Sequence, residues 1–178
     1  MSGASVSVPG GGARASAPFT PIVGTLAYVV RGEDVLMIHR VGRPDDQHRG
    51  KYNGLGGKLE SGEDVVAGLR RELREEANIE AAGVRLRGTI SWPGFGKGGE
   101  DWLGFVFVVD DFTGDVPDRN AEGTLHWVPR ARLLELPLWE GDYTWLPLVF
   151  DEAVGQFHGV MPYVDGRPAS WAVTVLPA

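Results

Sequence analysis

Hydrophobic and polar positions alternate along this chain with two different periods. From Pro21 to Val30, and again from Val35 to Arg40, apolar residues follow one another almost without interruption, as in strands covered on both faces. Arg31-Gly32-Glu33-Asp34 predicts the turn between them. From Glu63 to Ala77 the period becomes helical, with Val65, Val66, Leu69 and Leu73 on one stripe that must pack on a core. Strand patterns return at Val84 to Trp92, Trp102 to Val109 and Glu122 to Val128, separated by Pro93 to Gly99 and by a turn at Asp111 to Asn120. Pro129 to Leu136 predicts a short helical turn. Tyr143 to Val154 predicts a last helix capped by Asp142, whose Pro147 is tolerable only near its beginning. Phe157 to Tyr163 and Ala169 to Leu176 read as a hairpin around Asp165-Gly166. Irregular alternation of strands and helices, with hairpins among them, favours an α/β fold with a mixed sheet covered by helices over a parallel doubly wound one.

Two polar stretches interrupt this pattern. Residues 1–18 are rich in Ser, Gly and Ala and are expected to form a disordered tail ahead of one domain over 19–178. The loop from Val41 to Tyr52 is long and polar, and its His48 reads as a loop residue rather than a metal ligand. The formal charge of −7 argues against duplex DNA, other nucleic-acid polymers or an anionic membrane as the main partner, yet allows an anionic substrate whose charge metal ions neutralise. The chain has no cysteine, which excludes disulfides and thiol chemistry, and no apolar run of membrane-spanning length. The expectation is a soluble, cytoplasmic protein. The sequence says nothing about its oligomeric state.

The chemistry concentrates in GKLESGEDVVAGLRRELREEANI, Gly57 to Ile79. Glu72, Glu75 and Glu76 stand at i, i+3 and i+4, so their carboxylates share a helix face and repel one another. Oxygen-only donors of this kind suit Mg²⁺, or Mn²⁺ in its place. Arg71 lies four residues before Glu75, within reach of an ion pair. Asn53-Gly54-Leu55-Gly56-Gly57-Lys58 brings backbone close to whatever this segment binds, and Ser61 and Asp64 have the spacing of a capping box.

This segment resembles the Nudix box, G-x5-E-x7-R-E-U-x-E-E-x-G-U with U a bulky apolar residue, and departs from it only at Asn78, where the box has glycine. Asn is the next most tolerant residue of the left-handed backbone wanted there. The resemblance implies an α/β/α sandwich and hydrolysis of a phosphoanhydride by a metal-activated water. It implies that Glu72, Glu75, Glu76 and the Gly57 carbonyl serve the metals, while Glu63 and Arg71 hold the box in shape. An acid from elsewhere is expected to complete the site, Glu100 first and Glu122 second.

Outside the box the chain is similar to animal-type MutT homologues that act on oxidised purine nucleoside triphosphates. The resemblance rests on Asn53 to Lys58, on Leu138-Trp139-Glu140-Gly141-Asp142-Tyr143-Thr144-Trp145-Leu146-Pro147 and on Phe157-His158-Gly159. It implies that Asn53 and Asp142 read the purine edge and that Trp139 and Trp92 wall the pocket. Thr25 and Arg40 fall on its sugar and phosphate side, and Lys58 is expected among the substrate contacts. Those homologues carry two consecutive aspartates where this chain has Gly141-Asp142, which leaves a broad nucleotide range open. The alternatives are another Nudix substrate (a dinucleoside polyphosphate, ADP-ribose or NADH) or a non-catalytic nucleotide-binding regulator.

Overall fold

The computed structural model describes residues 18–178, so almost all of the expected tail lies outside the described residues. Ten strands and two α-helices follow in the order β1 (Ile22–Arg31), β2 (Asp34–His39), β3 (Tyr52–Asn53), α1 (Val65–Ala77), β4 (Glu80–Trp92), β5 (Trp102–Thr113), β6 (Thr124–Pro129), a 3-10 turn (Arg130–Glu135), α2 (Asp142–Phe150), β7 (Val154–Val160), β8 (Tyr163–Val164), β9 (Arg167–Pro168) and β10 (Ala172–Pro177). Eight strands form one mixed sheet in the order β10-β7-β4-β5-β1-β2-β3, with β6 on the other side of β2. The β1–β5 and β4–β7 pairs are parallel and the rest antiparallel. The expected closing hairpin is present as β7 with β10, and its tip is the β8–β9 ribbon turning through Asp165 and Gly166, both at positive φ.

Strand alternation divides the interior into two cores, one on each face of the sheet. Ala27, Val29, Leu36, Ile38, Phe107 and Val109 point towards α1. Their neighbours Tyr28, Val35, Met37, Val106 and Val108 point towards α2. Leu69 and Leu73 of α1 are fully buried, which contributes about 1.5–3 kcal/mol for each side chain. Trp145, Leu146 and Val149 anchor α2 on the opposite face. The result is helix, sheet, helix. Both cores were foreshadowed by the nearly continuous apolar runs, because a strand covered on two faces has no polar side.

The element boundaries differ from expectation where tertiary contacts decide them. Strand β4 begins at Glu80 rather than Val84 because it pairs with β5 up to Thr113, inside the expected turn. Helix α2 ends at Phe150 rather than Val154. Gly141, not Asp142, is its N-cap, and Pro147 sits inside it. The proline removes the N–H that would bond the Tyr143 carbonyl, and Tyr143 is exposed, so water can serve that carbonyl.

Among the described residues no helix is long and apolar enough to cross a membrane.

The feature that builds the site is a split in the β1–β2 hairpin. The two strands pair only from Val29/Leu36 to the turn. Beyond that point residues 52–58 insert between them, bonding β2 at Ile38↔Asn53 and β1 at Ala27↔Leu55 and Gly24↔Lys58.

Candidate active site

Helix α1 starts at Val65, two residues later than the periodicity suggested. Asp64 alone is its cap, its Oδ1 accepting the N–H groups of Val66 and Ala67 at 2.9 Å each, so Ser61 and Asp64 do not form a capping box. Glu63 is thereby left outside the helix and free to pair. Arg71 donates to both its oxygens, Nε to Oε1 at 2.7 Å and Nη2 to Oε2 at 3.0 Å. That fork holds the Glu63 carboxyl down at about 2. Arg71 also donates to Glu72 at 2.8 Å and to the Lys58 carbonyl at 3.0 Å, which fastens the helix to the inserted segment. Its expected pair with Glu75 is the longest of these contacts, 3.4 Å. At the far end Asn78 takes φ 55° and ψ 38°, and its N–H bonds the carbonyls of Arg74 and Leu73. The departure from the box glycine therefore leaves the helix end unchanged.

The inserted segment lies against the acidic face of α1. A Cβ on Gly57 would stand 2.6 Å from the Glu72 carboxylate, and Gly56, at φ 133°, donates its N–H to Glu76 Oε2 at 2.8 Å. The Gly57 carbonyl accepts the Thr25 N–H at 2.8 Å and keeps a second lone pair. Glu122 joins from the loop before β6, bonded to Arg40 and 3.8 Å from Arg43. Burial, with Glu122 and Glu72 close by, pushes the Glu76 carboxyl up to about 8. Burial also raises Glu72, against the opposing pull of Arg71.

These groups fit a hard divalent cation in kind: three carboxylates and a carbonyl, oxygen only, with a crowded negative charge that a cation would relieve. They do not form a closed cage. Among the described residues no group of three acidic, histidine or cysteine side chains is drawn together as a ready metal cluster. Arg71, the Gly56 N–H and Arg40 hold the carboxylates instead.

Glu72, Glu76, Glu122 and Gly57 line one end of a cavity of about 440 Å³, a volume suited to a small ligand. Glu75 is not among its walls, and its side chain is 61% exposed. Glu100 also lies outside it, its carboxylate folded back on the Gly98 N–H at 2.9 Å. Of the two acids expected to complete the site, Glu122 lines the cavity, paired with Arg40, and Glu100 does not.

The other end of the cavity is aromatic. Trp92, Phe95, Trp139, Trp145, Tyr28 and Tyr163 wall it, with Phe95 edge-on to Trp139 at 5.4 Å and to Tyr163 at 4.9 Å. Asp142 opens into this end, and burial pushes its carboxyl up to about 7 against weaker opposing contacts from Trp145, the Trp139 backbone and Lys51. All seven expected substrate contacts, Thr25, Arg40, Asn53, Lys58, Trp92, Trp139 and Asp142, line this one cavity. The sequence reading passed over Tyr28, Phe95, Trp145 and Tyr163 as ligand contacts, since an apolar pattern marks an aromatic residue as core whether or not one edge meets a cavity. It also passed over His48. The loop folds over the cavity so that His48 Nδ1 accepts from Trp139 Nε1 at 2.8 Å and lies 3.3 Å from Asn53 Nδ2.

Comparison with known proteins places this geometry among relatives. The model of the NUDIX domain matches residues 20–149. An uncharacterised Nudix hydrolase of Bacillus subtilis, YvcI, is 34% identical over 119 residues, 65% of this chain and 73% of that protein. The oxidized purine nucleoside triphosphate hydrolase of Danio rerio is 29% identical over 103 residues, 58% of this chain and 65% of its own length. A MutT protein of Bacillus halodurans superposes with a TM-score of 0.73 at 27% identity, covering 85% of this chain and 97% of that one.

Proposed function

The chain belongs to the Nudix hydrolase family, and from that premise we propose that it cleaves purine nucleoside triphosphates, oxidised ones of the 8-oxo-dGTP kind above all, to the monophosphate and pyrophosphate. One observation carries the reading. Among the described residues, three buried side-chain polar atoms without a partner belong to residues lining the cavity, Thr25 Oγ1, Asn53 Oδ1 and Trp102 Nε1, while a fourth, Trp145 Nε1, faces only the Asp142 carboxyl. An unmade buried hydrogen bond costs about 1–3 kcal/mol, so the first three atoms favour a ligand that supplies partners along the cavity.

In this reading Asn53 and Asp142 hold the purine edge while Trp139 and Trp92 enclose its ring. Thr25 faces the sugar, and Arg40 and Lys58 face the phosphates. Glu72, Glu76, Glu122 and the Gly57 carbonyl would hold Mg²⁺ or Mn²⁺. When bound, the ion supplies a water acidic enough to attack phosphorus and charge to neutralise the phosphates. Arg71 and Glu63 keep the helix and the inserted segment in register. Substrates of this class are small nucleotides met in the cytoplasm.

The relatives acting on oxidised purine nucleotides support the base specificity, and the raised Asp142 carboxyl gives it a physical means. The deciding experiment is a steady-state comparison with product identification over oxidised and normal purine triphosphates, dinucleoside polyphosphates, ADP-ribose and NADH. The outcome expected is highest kcat/KM for an oxidised purine triphosphate, with pyrophosphate released. Faster cleavage of ADP-ribose or NADH, or release of inorganic phosphate with a nucleoside diphosphate, would replace this reading.

A further inference from the structure

A second compartment, about 430 Å³, adjoins the cavity at its phosphate end and shares four walls with it, Arg40, His48, Lys58 and Trp102. Apart from Ile22 of β1, its remaining walls come from the loop after β2 and the loop before β5, which bring Arg43, Lys97, Asp45, Asp46 and Glu100. Two of these three carboxylates are engaged, while Asp45 makes no ion pair among the described residues. Asp46 is paired with Arg40 Nε at 2.7 Å and accepts the His48 N–H at 2.9 Å, and Glu100 is turned onto the Gly98 N–H. Most of the cations are not engaged. Among the described residues neither Lys58 nor Lys97 makes an ion pair, and Arg43 reaches a carboxylate only at 3.8 Å. Lys58 Nζ lies 5.4 Å from the centre of the Trp102 ring, and the Trp102 Nε1–H is a buried donor without an acceptor. In a chain of formal charge −7, uncommitted cations and an unused donor gathered beside the carboxylate wall call for an anion.

We propose that this compartment binds the phosphates beyond the scissile bond, with Arg43 and Lys97 joining Lys58 on the β- and γ-phosphates of the substrate. The inference rests on the reading of the chain as a triphosphate hydrolase and narrows it, since a diphosphate bound to a neutral sugar would leave these cations unmatched. The geometry is continuous. Arg40 and Arg43 both approach Glu122 from the second compartment, so a phosphate chain held at the carboxylate wall runs on into it. In the reaction, the water oxygen bonds to one of the two phosphorus atoms of the α–β bridge as the bridging P–O bond on that atom breaks. The electron pair leaves on the other fragment and the surplus water proton passes to solvent. On either course the compartment would then hold the pyrophosphate.

The test uses the full chain, with Arg43→Ala, Lys97→Ala and the double variant, in two measurements. Calorimetric binding of inorganic tripolyphosphate needs no turnover and is expected to weaken roughly tenfold or more in the double variant, as loss of charge-assisted contacts implies. Arg43→Lys should recover most of it. In kinetics, kcat/KM for dGTP should fall by a similar factor, and that for dGDP, which keeps the β-phosphate but lacks the γ-phosphate, by clearly less. Failure of tripolyphosphate to bind the unaltered protein, unchanged binding in the double variant, or equal loss for dGTP and dGDP would overturn the assignment. If neither nucleotide were turned over, the proposed function would fall, and the calorimetry alone would still decide the fate of the compartment.

Discussion

Trp139 Nε1 donates to His48 Nδ1 across 2.8 Å, so a residue of the loop after β2 fixes a ring that walls the aromatic end of the cavity. The bond assigns the imidazole proton to Nε2, because Nδ1 must accept. Burial first, and then Arg40, push the His48 pKa below its ordinary 6.5, with Asp46 and Glu122 opposing, so the accepting form persists in mild acid.

His48→Ala should release Trp139 and raise KM for every purine nucleotide about 5–10-fold with little change in kcat, the scale of one hydrogen bond. His48→Asn, which keeps an acceptor, should recover part of the loss. Tryptophan fluorescence should report the altered ring. Acid should act in the same direction, because a proton on Nδ1 sets two donors against each other. The folded pKa is the lower one, so the unfolded chain takes up the proton first. Stability contributed by neutral His48 is therefore present above 6.5 and lost as pH falls below it. An unchanged KM in His48→Ala would leave the loop without a part in binding.

Glu76 should titrate in the opposite sense. Its folded carboxyl stands at about 8 against an ordinary 4.5, so the metal-free fold binds the extra proton and loses stability as pH rises from 4.5 to 8. Glu76→Gln removes that loss, and its amide oxygen can still accept the Gly56 N–H. In the presence of chelator the variant should match the unaltered protein in Tm near pH 5 and exceed it near pH 8.5. Activity should require a divalent ion and fall on the order of 10²–10⁴-fold in Glu76→Gln, the scale of a lost catalytic carboxylate. Near-normal turnover in the variant would remove Glu76 from the chemistry.

Arg87 carries a prediction about architecture. It is 4% exposed, and instead of a carboxylate it meets five main-chain carbonyls, those of Leu148, Val149, Asp151, Val154 and Gly155. It thereby ties the end of α2, the helix that carries Asp142 and Trp145, to β4, which carries Trp92. Arg87→Met leaves several buried acceptors unmatched and should cost about 3–5 kcal/mol of stability. Arg87→Lys keeps the charge but cannot fork to five acceptors, and should fall between. Denaturant unfolding measures both, and a loss under 1 kcal/mol in Arg87→Met would show those carbonyls to be satisfied by water.

What the sequence disclosed and what it withheld follow from the range of the forces involved. Glu63, Arg71, Glu72 and Glu76 were legible because a helix converts their spacing into neighbourhood, and the two cores were legible because strands do the same for apolar runs. Glu75 shows the limit of that argument. Glu75 shares that helix face, yet its side chain is exposed beside Arg71 and does not line the cavity. The place of Glu122 on the cavity wall goes with its pairing to Arg40 across 82 positions of sequence, a relation no local pattern carries. Strand β3 escaped notice because two residues make no run, and Tyr52-Asn53 becomes a strand only by entering the split hairpin. A lone histidine in a polar loop carries no signal of its own, so the part played by His48 appeared only when the loop closed on Trp139.

The base specificity itself should be set by the proton on Asp142. A carboxyl at about 7 is half protonated at neutral pH, whereas an ordinary aspartate at 3.8 would be ionised. Ionised, it offers two acceptors; protonated, one acceptor and one donor. The guanine edge at O6 and N7 presents two acceptors, and oxidation at C8 places a proton on N7, so the oxidised edge presents an acceptor beside a donor. Only protonated Asp142 matches that edge in both contacts. The ratio of kcat/KM for 8-oxo-dGTP over dGTP should therefore rise as pH falls through about 7. The size of the change should approach the about 1–3 kcal/mol of a bidentate base contact, roughly 5–150-fold. Taking a ratio on one enzyme cancels the titrations of Glu76 and His48, which both substrates share. Asp142→Asn fixes one donor and one acceptor at every pH, so its ratio should stay near the acid-limb value and lose its slope, while Asp142→Ala should discriminate little at any pH. Gly141 rather than Asp142 caps α2, so Tm should change by no more than a few degrees and fold loss would not obscure the result. A ratio that is flat in the unaltered protein from pH 5.5 to 8.5, or a slope that survives in Asp142→Asn, would move base recognition away from this carboxyl and onto the other polar groups of the aromatic end.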